Sequence, residues 1–467
     1  MSARPGPGRA ARRVLPEAPV GSLDGYLAAG GGAAIRRARS IGPDATIDEV
    51  TAAGLRGRGG GGFPTGRKWR TVRDAPGSRR FVVVNGAEGE PGTFKDRAIL
   101  RADAYQVVEG AAVAALAVGA RDVYVGLKRS FVRECDALRT AAQEMAAAGM
   151  LGDLDVTIVQ GPPEYLFGEE KALLEVVEGK DPLPRVLPPY QHGLFATAPQ
   201  LGWTSSEPEP GEPRGEAANP TLVNNVETLA HVTWLLSHGV DSFRALGTSA
   251  SPGTTVFTVS GDVTRPGVHE LPLGTPLRAL VEVHGGGMRP GRRVKMVCSG
   301  VANPVLPGDR LDTPMDHESL AAAGSGLGSA GFVVYDDEVC ALAVARLFSR
   351  FLFVESCGQC PPCKLQSGAV TEALEEIERT GDASGLARIE RALRTVTDGS
   401  RCALAAEEQQ VVGSILRRFP EDVVAHEEGR CRLRHDLQIP LLADLTDTGF
   451  VLDARQGHKR PDWTYGT

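Results

Sequence analysis

Between residues 80 and 160 the chain alternates short apolar runs with longer segments of helical spacing. Phe81-Val82-Val83-Val84 is an uninterrupted apolar run between Arg80 and Asn85, as expected of a short strand buried on both faces. Asp103 to Ala120, rich in Ala and Val, reads as a helix. Asp122 to Lys128 reads as a second strand, Ser130 to Ala147 as a second helix and Asp155 to Gln160 as a third strand. The order β-α-β-α-β predicts a parallel sheet with helices on its faces. Residues 204–219, rich in Pro, Glu and Gly, read as a loop.

A different texture begins at Thr254. The run to Val259 alternates, turns at Gly261 and Pro266-Gly267, resumes at Val268 and enters a short helix near Pro276 to Val283. Strands around one helix suggest a small α+β module ending near Val334. Four helices are expected beyond it: Asp336 to Val354, Lys364 to Thr380, a third capped by Ser384 and running to about Thr397, and Ala403 to Phe419, stopped by Pro420. Four helices with short links suggest a bundle. No internal repeat is present.

The length of 467 residues allows two or three domains with their own cores. The net charge of −7 argues against a general nucleic-acid surface. The longest apolar run, Gly110 to Ala120, is too short to cross a bilayer. The first residues carry Arg4, Arg9, Arg12 and Arg13 without the apolar core segment of a secretory signal, and Pro5, Pro7 and the missing amphipathic stripe favour a disordered arm over residues 1–22 rather than a transit peptide.

Of the cysteines, Cys135, Cys298 and Cys340 sit in apolar surroundings and read as core residues; Cys431, among arginines, reads as a surface thiol. Cys357, Cys360 and Cys363 form a C-x2-C-x2-C run, with Cys402 following at the start of the last expected helix. Thiolates at intervals of three, completed by a remote fourth, suit one 4Fe–4S cluster. Zinc more often pairs two knuckles or mixes Cys with His, and no second knuckle exists here. The other concentrated feature is Gly57-Arg58-Gly59-Gly60-Gly61-Gly62-Phe63-Pro64. Consecutive glycines expose backbone N–H groups and let a ligand lie against the main chain, while nearby Arg and Lys add charge for a phosphate. A flexible linker is the alternative reading. Asn85 to Gly92 follows the first strand directly, where parallel sheets bind ligands.

Taken together and in order, GRGGGGFPTGRKW, NGAEGEPGTFKDR, FGEEKALLEVVEG, NPTLVNNVET and ESCGQCPPC with the remote SRCAL resemble the flavin-bearing NADH-binding subunit of respiratory complex I, the F-subunit family of NADH-quinone oxidoreductase. The same module occurs in NAD-linked hydrogenases and formate dehydrogenases. The resemblance covers roughly residues 45–430. It implies an α/β Rossmann-like flavin domain over 23–250, a ubiquitin-like β-grasp module over 251–334, where VSGDVTRPGVHELPLGTPL lies, and a helical 4Fe–4S bundle over 335–430. Residues 431–467 are left as a C-terminal tail. The sequence departs from the family at Ala87, Lys171, Arg67 and Thr71, and residues near 197–218 look inserted.

The resemblance implies FMN held by Gly57, Gly60, Asn85, Gly168, Asn224 and Asn225, with Gly59, Gly61, Gly62 and Glu88 in the same cofactor site. It implies NADH near Phe63, Lys68, Glu90, Glu169, Glu170 and Phe195, and cluster ligation by Cys357, Cys360, Cys363 and Cys402. The expected enzyme is an NADH dehydrogenase without an acid–base triad. NADH yields two electrons together and a cluster accepts one, and a flavin bridges the difference. The expected partners are a thioredoxin-like 2Fe–2S subunit and a larger multi-cluster subunit. The expected location is cytoplasmic, peripheral at the cytoplasmic face of the membrane through those partners. Two alternatives stay open: a diaphorase subunit of an NAD-linked hydrogenase or formate dehydrogenase, and a degenerate non-catalytic module in which Ala87 and Lys171 mark a weakened nucleotide site.

Overall fold

The computed structural model describes residues 11–77, 79–198 and 217–466. The chain divides into two compact units. The first comprises Met1–Glu88, Lys95–Val256 and Glu270–Leu273; the second comprises Gly89–Phe94, Phe257–His269 and Gly274–Thr467.

The first unit is built on a parallel sheet of β1 (Phe81–Asn85), β2 (Asp122–Lys128), β3 (Asp155–Gly161) and β4 (Thr221–Asn225), in the order β3-β2-β1-β4. The first three strands fall where the apolar runs place them. The fourth does not stand out in the sequence. Its only aliphatic residues are Leu222 and Val223, and its place beside β1 is set by a non-local register that pairs Asn85 with Asn225. The helix Ala104–Val118 is capped by the Asp103 carboxylate, which accepts the Gln106 N–H at 3.2 Å, and is closed by Gly119 at φ 78°. It is apolar nearly all round because it is buried nearly all round. At Gly110 a Cβ would lie 2.2 Å from the Leu229 carbonyl oxygen, so only glycine lets the helix Val226–His238 pack this close.

Helices that were not expected include Ala33–Ala53, Thr65–Asp74 and Lys95–Ala102. Gly42 (φ 83°) and Pro43 interrupt the first and hide its period. The expected disordered arm is corrected from Ala11 onward; residues 1–10 lie outside the described residues. The Glu270 carboxylate accepts the N–H groups of Arg13, Val14 and Leu15 at 2.8, 3.0 and 3.1 Å, and Val14 is fully buried. Residues 204–216 of the expected 204–219 loop and most of the inserted segment fall outside the described residues.

A mixed sheet is formed by β5 (Thr254–Gly261), β6 (Gly267–Pro272), β7 (Val294–Ser299), β8 (Leu306–Pro307) and β9 (Gly331–Asp336), ordered β6-β5-β9-β7-β8. β5 and β9 are parallel, and β7 is antiparallel to both β8 and β9. Short helical segments at Ala279–His284, Gly308–Arg310 and His317–Ala322 accompany the sheet, where one helix was expected. Helices follow at Ala341–Glu355, Pro361–Thr380, Gly385–Thr395, Leu404–Arg418 and Pro420–Glu427. The first starts later than expected because β9 continues to Asp336. Pro420 both ends one helix and opens the next, as its fixed φ and missing N–H allow. Ser384 makes no capping bond; Asp382 accepts its N–H at 2.9 Å instead. The tail forms a hairpin, β10 (Leu442–Thr446) with β11 (Gly449–Leu452). Among the described residues no helix is long and apolar enough to cross a membrane.

Candidate functional site

Four segments meet at the carboxyl ends of the first unit's parallel strands, where such sheets bind ligands. Asn85 ends β1 and Asn225 ends β4. The glycine loop lies against the second of these: a Cβ on Gly59 would stand 3.1 Å from the Asn225 Cβ. The loop is pinned at its base by the Gly57 N–H to the Phe63 carbonyl (2.9 Å) and by the Arg56 Nε–H to the Gly62 carbonyl (2.7 Å). Gly60 (φ 114°) and Gly62 (φ 59°) take backbone conformations that favour glycine, and a Cβ on Gly61 would meet nothing within 4 Å. The fourth segment is tied in by the Asn85 amide, which donates to the Gly168 carbonyl at 2.7 Å. A Cβ on Gly168 would come 3.1 Å from the Ala87 carbonyl oxygen. Stacked main chain, open space before Gly61 and three asparagine amides suit a flat, hydrogen-bonding, phosphate-bearing cofactor such as FMN.

Beneath the loop is a buried charge network that sequence reading missed, because its members come from separate segments. Lys95 Nζ meets Asp96 Oδ1 at 2.7 Å, Glu227 Oε2 at 3.1 Å and Asn225 Oδ1 at 3.1 Å. The Asn225 amide donates to Asp96 Oδ2 at 2.7 Å. Burial opposes the charge on Lys95, yet Asp96, Glu227 and Glu88 hold its pKa above the ordinary value. Burial pushes Asp96 up to about 6 against the pull of Lys95. Burial also works against Glu227, but Lys95, His231 and Arg58 outweigh it and hold the carboxyl at about 2. Removing the cation would strand two buried carboxylates. Lys95→Ala is therefore expected to destabilise the folded protein by about 3–5 kcal/mol in denaturant unfolding. An unchanged midpoint would show that Asp96 and Glu227 are neutral in the native state.

The expected site residues fall into distinct settings. Asn224 accepts the indole N–H of Trp69 at 2.7 Å. Glu88 is buried and accepts from the Asp96 N–H (3.1 Å) and the Arg97 Nε–H (3.2 Å), so its carboxylate organises the start of the helix Lys95–Ala102. Arg58, expected to add charge for a phosphate, is instead buried, with its guanidinium donating to the Thr254 carbonyl at 3.0 Å. Phe63 is 49% exposed beside the Arg67 guanidinium, 5.6 Å from its ring. Lys68 Nζ pairs with Glu170 Oε2 at 2.6 Å. Glu169 caps the helix Glu170–Val177, accepting the Lys171 and Ala172 N–H groups at 2.9 and 3.0 Å, and burial raises its pKa to about 7. Phe195 (φ 53°) packs edge-on against Phe81, the first residue of β1, and against Tyr124. Glu90 belongs to the second unit, where its carboxylate accepts the Val301 N–H at 2.7 Å.

The thiol set also lies in the second unit. Cys360 precedes the helix Pro361–Thr380, whose first positions are prolines that lack the unneeded N–H. Gly358 turns the chain at φ 79°. Arg401, next to Cys402, donates to Gln359 Oε1 at 2.7 Å, and Gln359 Nε2 lies 3.7 Å from the Cys357 sulfur. The remote segment is thus fastened to the C-x2-C-x2-C loop by the residue between its first two cysteines. Burial, then Cys360 and Cys357, push the Cys363 thiol up to about 11. Crowded thiols of this kind lose their protons on binding metal, and four of them from two segments fit a cuboid cluster.

Comparison with known proteins agrees with both halves. The Nuo51 FMN-binding domain family matches residues 50–234, the NADH-ubiquinone oxidoreductase-F iron-sulfur binding region matches 343–426, and the SLBB domain matches 256–300. The F 2 subunit of NADH-quinone oxidoreductase from Rhizobium meliloti (strain 1021) is 40% identical over 423 residues, spanning 88% of this chain and 95% of the relative. The NADP-reducing hydrogenase subunit HndC of Solidesulfovibrio fructosivorans is 32% identical, spanning 88% and 81%. A chain of an NAD+-reducing NiFe-hydrogenase in its H2-reduced state superposes with a TM-score of 0.74 at 33% identity, covering 87% of this chain and 67% of that one.

The parallel sheet with its glycine cradle, and the helical region with its four thiols, define a flavin- and iron–sulfur-binding oxidoreductase component. The chain belongs to the F-subunit family of NADH-quinone oxidoreductase, with FMN and a 4Fe–4S cluster as its cofactors.

Proposed function

We propose that the protein is the electron-input subunit of a larger complex, taking a hydride from NADH and passing electrons singly to partner iron–sulfur subunits. The observation that carries this reading is the convergence of Gly59, Asn85, Gly168 and Asn225 at the carboxyl ends of one parallel sheet, in a chain that also carries the thiol set. Bound FMN supplies the change from paired to single electrons. The chain supplies a cradle at Gly57, Gly59, Gly60, Gly61, Gly62 and Gly168, amides at Asn85, Asn224 and Asn225, and Glu88 as the support of the adjoining helix. Phe63, Lys68, Glu169, Glu170 and Phe195 are assigned to the nicotinamide nucleotide. Cys357, Cys360, Cys363 and Cys402 are assigned to the cluster.

In this reading residues 23–250 form a Rossmann-like flavin domain. The mixed sheet and short helical segments of 251–334 form a ubiquitin-like β-grasp module, supported by the SLBB match. Residues 335–430 form the helical cluster-bearing bundle. The partners are a thioredoxin-like 2Fe–2S subunit and a larger multi-cluster subunit, which would hold the protein at the cytoplasmic face of a membrane. A hydrogenase in place of a quinone-reducing partner is a second reading, favoured by the HndC and NiFe-hydrogenase likenesses. Anaerobic titration with NADH should bleach the flavin absorbance of the purified protein. A flavin that NADH leaves oxidised rules out the electron-input reading.

The donor preference should depend on pH. Glu169 has a raised pKa of about 7, so in the folded protein it is protonated below that value and charged above it. The stability tied to this shift is present at low pH and lost as pH rises through about 7. The ionised carboxylate repels the 2′-phosphate of NADPH. The ratio of kcat/KM for NADPH over NADH should therefore fall about three- to tenfold from about pH 6 to about pH 8, equivalent to about 0.7–1.4 kcal/mol of repulsion. A ratio that stays flat or rises removes Glu169 from donor selection.

A further inference from the structure

Outside the cluster site, the second unit brings together two thiols and two imidazoles that the proposed electron path does not use. Cys340 precedes the helix Ala341–Glu355, His426 lies in the helix Pro420–Glu427, and Cys431 and His435 lie in the segment after it. Their ligand atoms all fall within 4.8 Å of one another. Cys340 Sγ is 3.4 Å from His426 Nε2, and Cys431 Sγ is 3.3 Å from His435 Nε2. We propose that these four residues form a tetrahedral Cys2His2 zinc site that fastens the segment after Glu427 to the start of the helix Ala341–Glu355.

The geometry suits one ion. Zn–S of about 2.3 Å and Zn–N of about 2.0–2.1 Å give a tetrahedral S–N edge of about 3.6 Å, close to both observed separations. A two- or four-iron cluster spreads its protein ligands further apart. Two thiolates with two imidazoles in a tetrahedron select zinc over calcium or magnesium, which take oxygen. They also neutralise the ion's two charges.

The surroundings orient the ligands. His435 Nδ1 faces Glu378 Oε1 at 2.9 Å, and the other Glu378 oxygen takes the Arg346 Nε–H. Donation from Nδ1 to a carboxylate leaves the Nε2 lone pair directed at the metal, the usual arrangement behind a ligating histidine. Main-chain bonds hold the same geometry: Cys431 N–H to the Ala425 carbonyl (3.0 Å), Cys340 N–H to the Arg434 carbonyl (3.1 Å) and Arg434 N–H to the Glu338 carbonyl (2.6 Å). An open cleft of about 380 Å³, lined by Glu378, His426, Cys431 and His435 among others, gives an ion a way in.

The test is metal analysis of the full-length protein purified with its flavin and iron–sulfur cluster, from cells grown with added zinc. About one zinc per chain is expected, with an X-ray absorption first shell of two sulfurs at about 2.3 Å and two nitrogens at about 2.0–2.1 Å. Cys431→Ser and His435→Ala should each lower zinc at least tenfold while iron and FMN stay at the parent level. Glu378→Gln keeps all four ligands and should weaken zinc binding about 10–100-fold, so it reports on the site even if a ligand variant fails to fold. Three findings would each overturn the proposal. These are no zinc above background, a first shell of three or four sulfurs (zinc misloaded into the iron–sulfur thiols), or a Cys340–Cys431 disulfide in the native protein.

Discussion

Cys402→Ala is expected to strip the protein of its 4Fe–4S cluster while leaving FMN bound. Of the four thiols assigned to the cluster, Cys402 alone comes from outside the C-x2-C-x2-C loop, and a cuboid cluster with an open corner is readily lost. The bond between Arg401 and Gln359 shows how closely its segment is tied to that loop. The glycine cradle is built from other parts of the chain, so the flavin should stay. Iron should fall from about four atoms per chain to near zero, measured by metal and sulfide analysis. NADH should still bleach the flavin, but electron delivery to partner subunits should stop. Replacing Cys135 or Cys298, both buried, should leave iron unchanged. Full iron in Cys402→Ala would mean that another group completes the cluster.

Gly60→Val should eject the flavin. Gly60 holds φ at 114°, where a β-branched residue is strained by about 1–3 kcal/mol. A side chain there would also crowd the loop assigned to the cofactor. Flavin released from the purified variant, measured by fluorescence after denaturation, should drop at least tenfold. The comparison Gly149→Ala strains a residue at φ 70° that has open space around it and should leave flavin content unchanged. Stoichiometric FMN in Gly60→Val would move the binding face away from this loop.

Much of the first unit was legible because strong local signals sit on it. The runs at Phe81, Asp122 and Asp155 are bounded by charged or turn residues, and the buried helix between the first two carries its own Asp103 cap and Gly119 stop. The features that escaped are those whose logic is non-local. β4 is a strand because β1 offers it a partner, not because of its own composition. Lys95, Asp96 and Glu227 read singly as surface charges, and only the fold brings them under one glycine loop. Arg58 was misjudged for a related reason: its position within the loop suggested a phosphate, but the fold turns its side chain inward. The thiols assigned to the cluster gave the clearest signal, since three of them share one short loop. Cys340, His426, Cys431 and His435 carry no knuckle spacing and so left no pattern to read.

The segment around Lys459 and Pro461 ties down both flanks of the C-x2-C-x2-C loop. Glu355, two residues before Cys357, is buried and takes Lys459 Nζ at 2.8 and 3.0 Å, across 104 residues of sequence. Lys364, just after Cys363, donates to the Pro461 carbonyl at 2.6 Å. This arrangement dictates an order of events on the ribosome. At about 5–20 residues per second, Lys459 is added about 5–20 s after Glu355. During that interval the loop thiols are already made, while Lys459 and Pro461 do not yet exist. The flanks of the C-x2-C-x2-C loop are therefore tied down only after Lys459 and Pro461 have been made, so this tethering is a late event of synthesis.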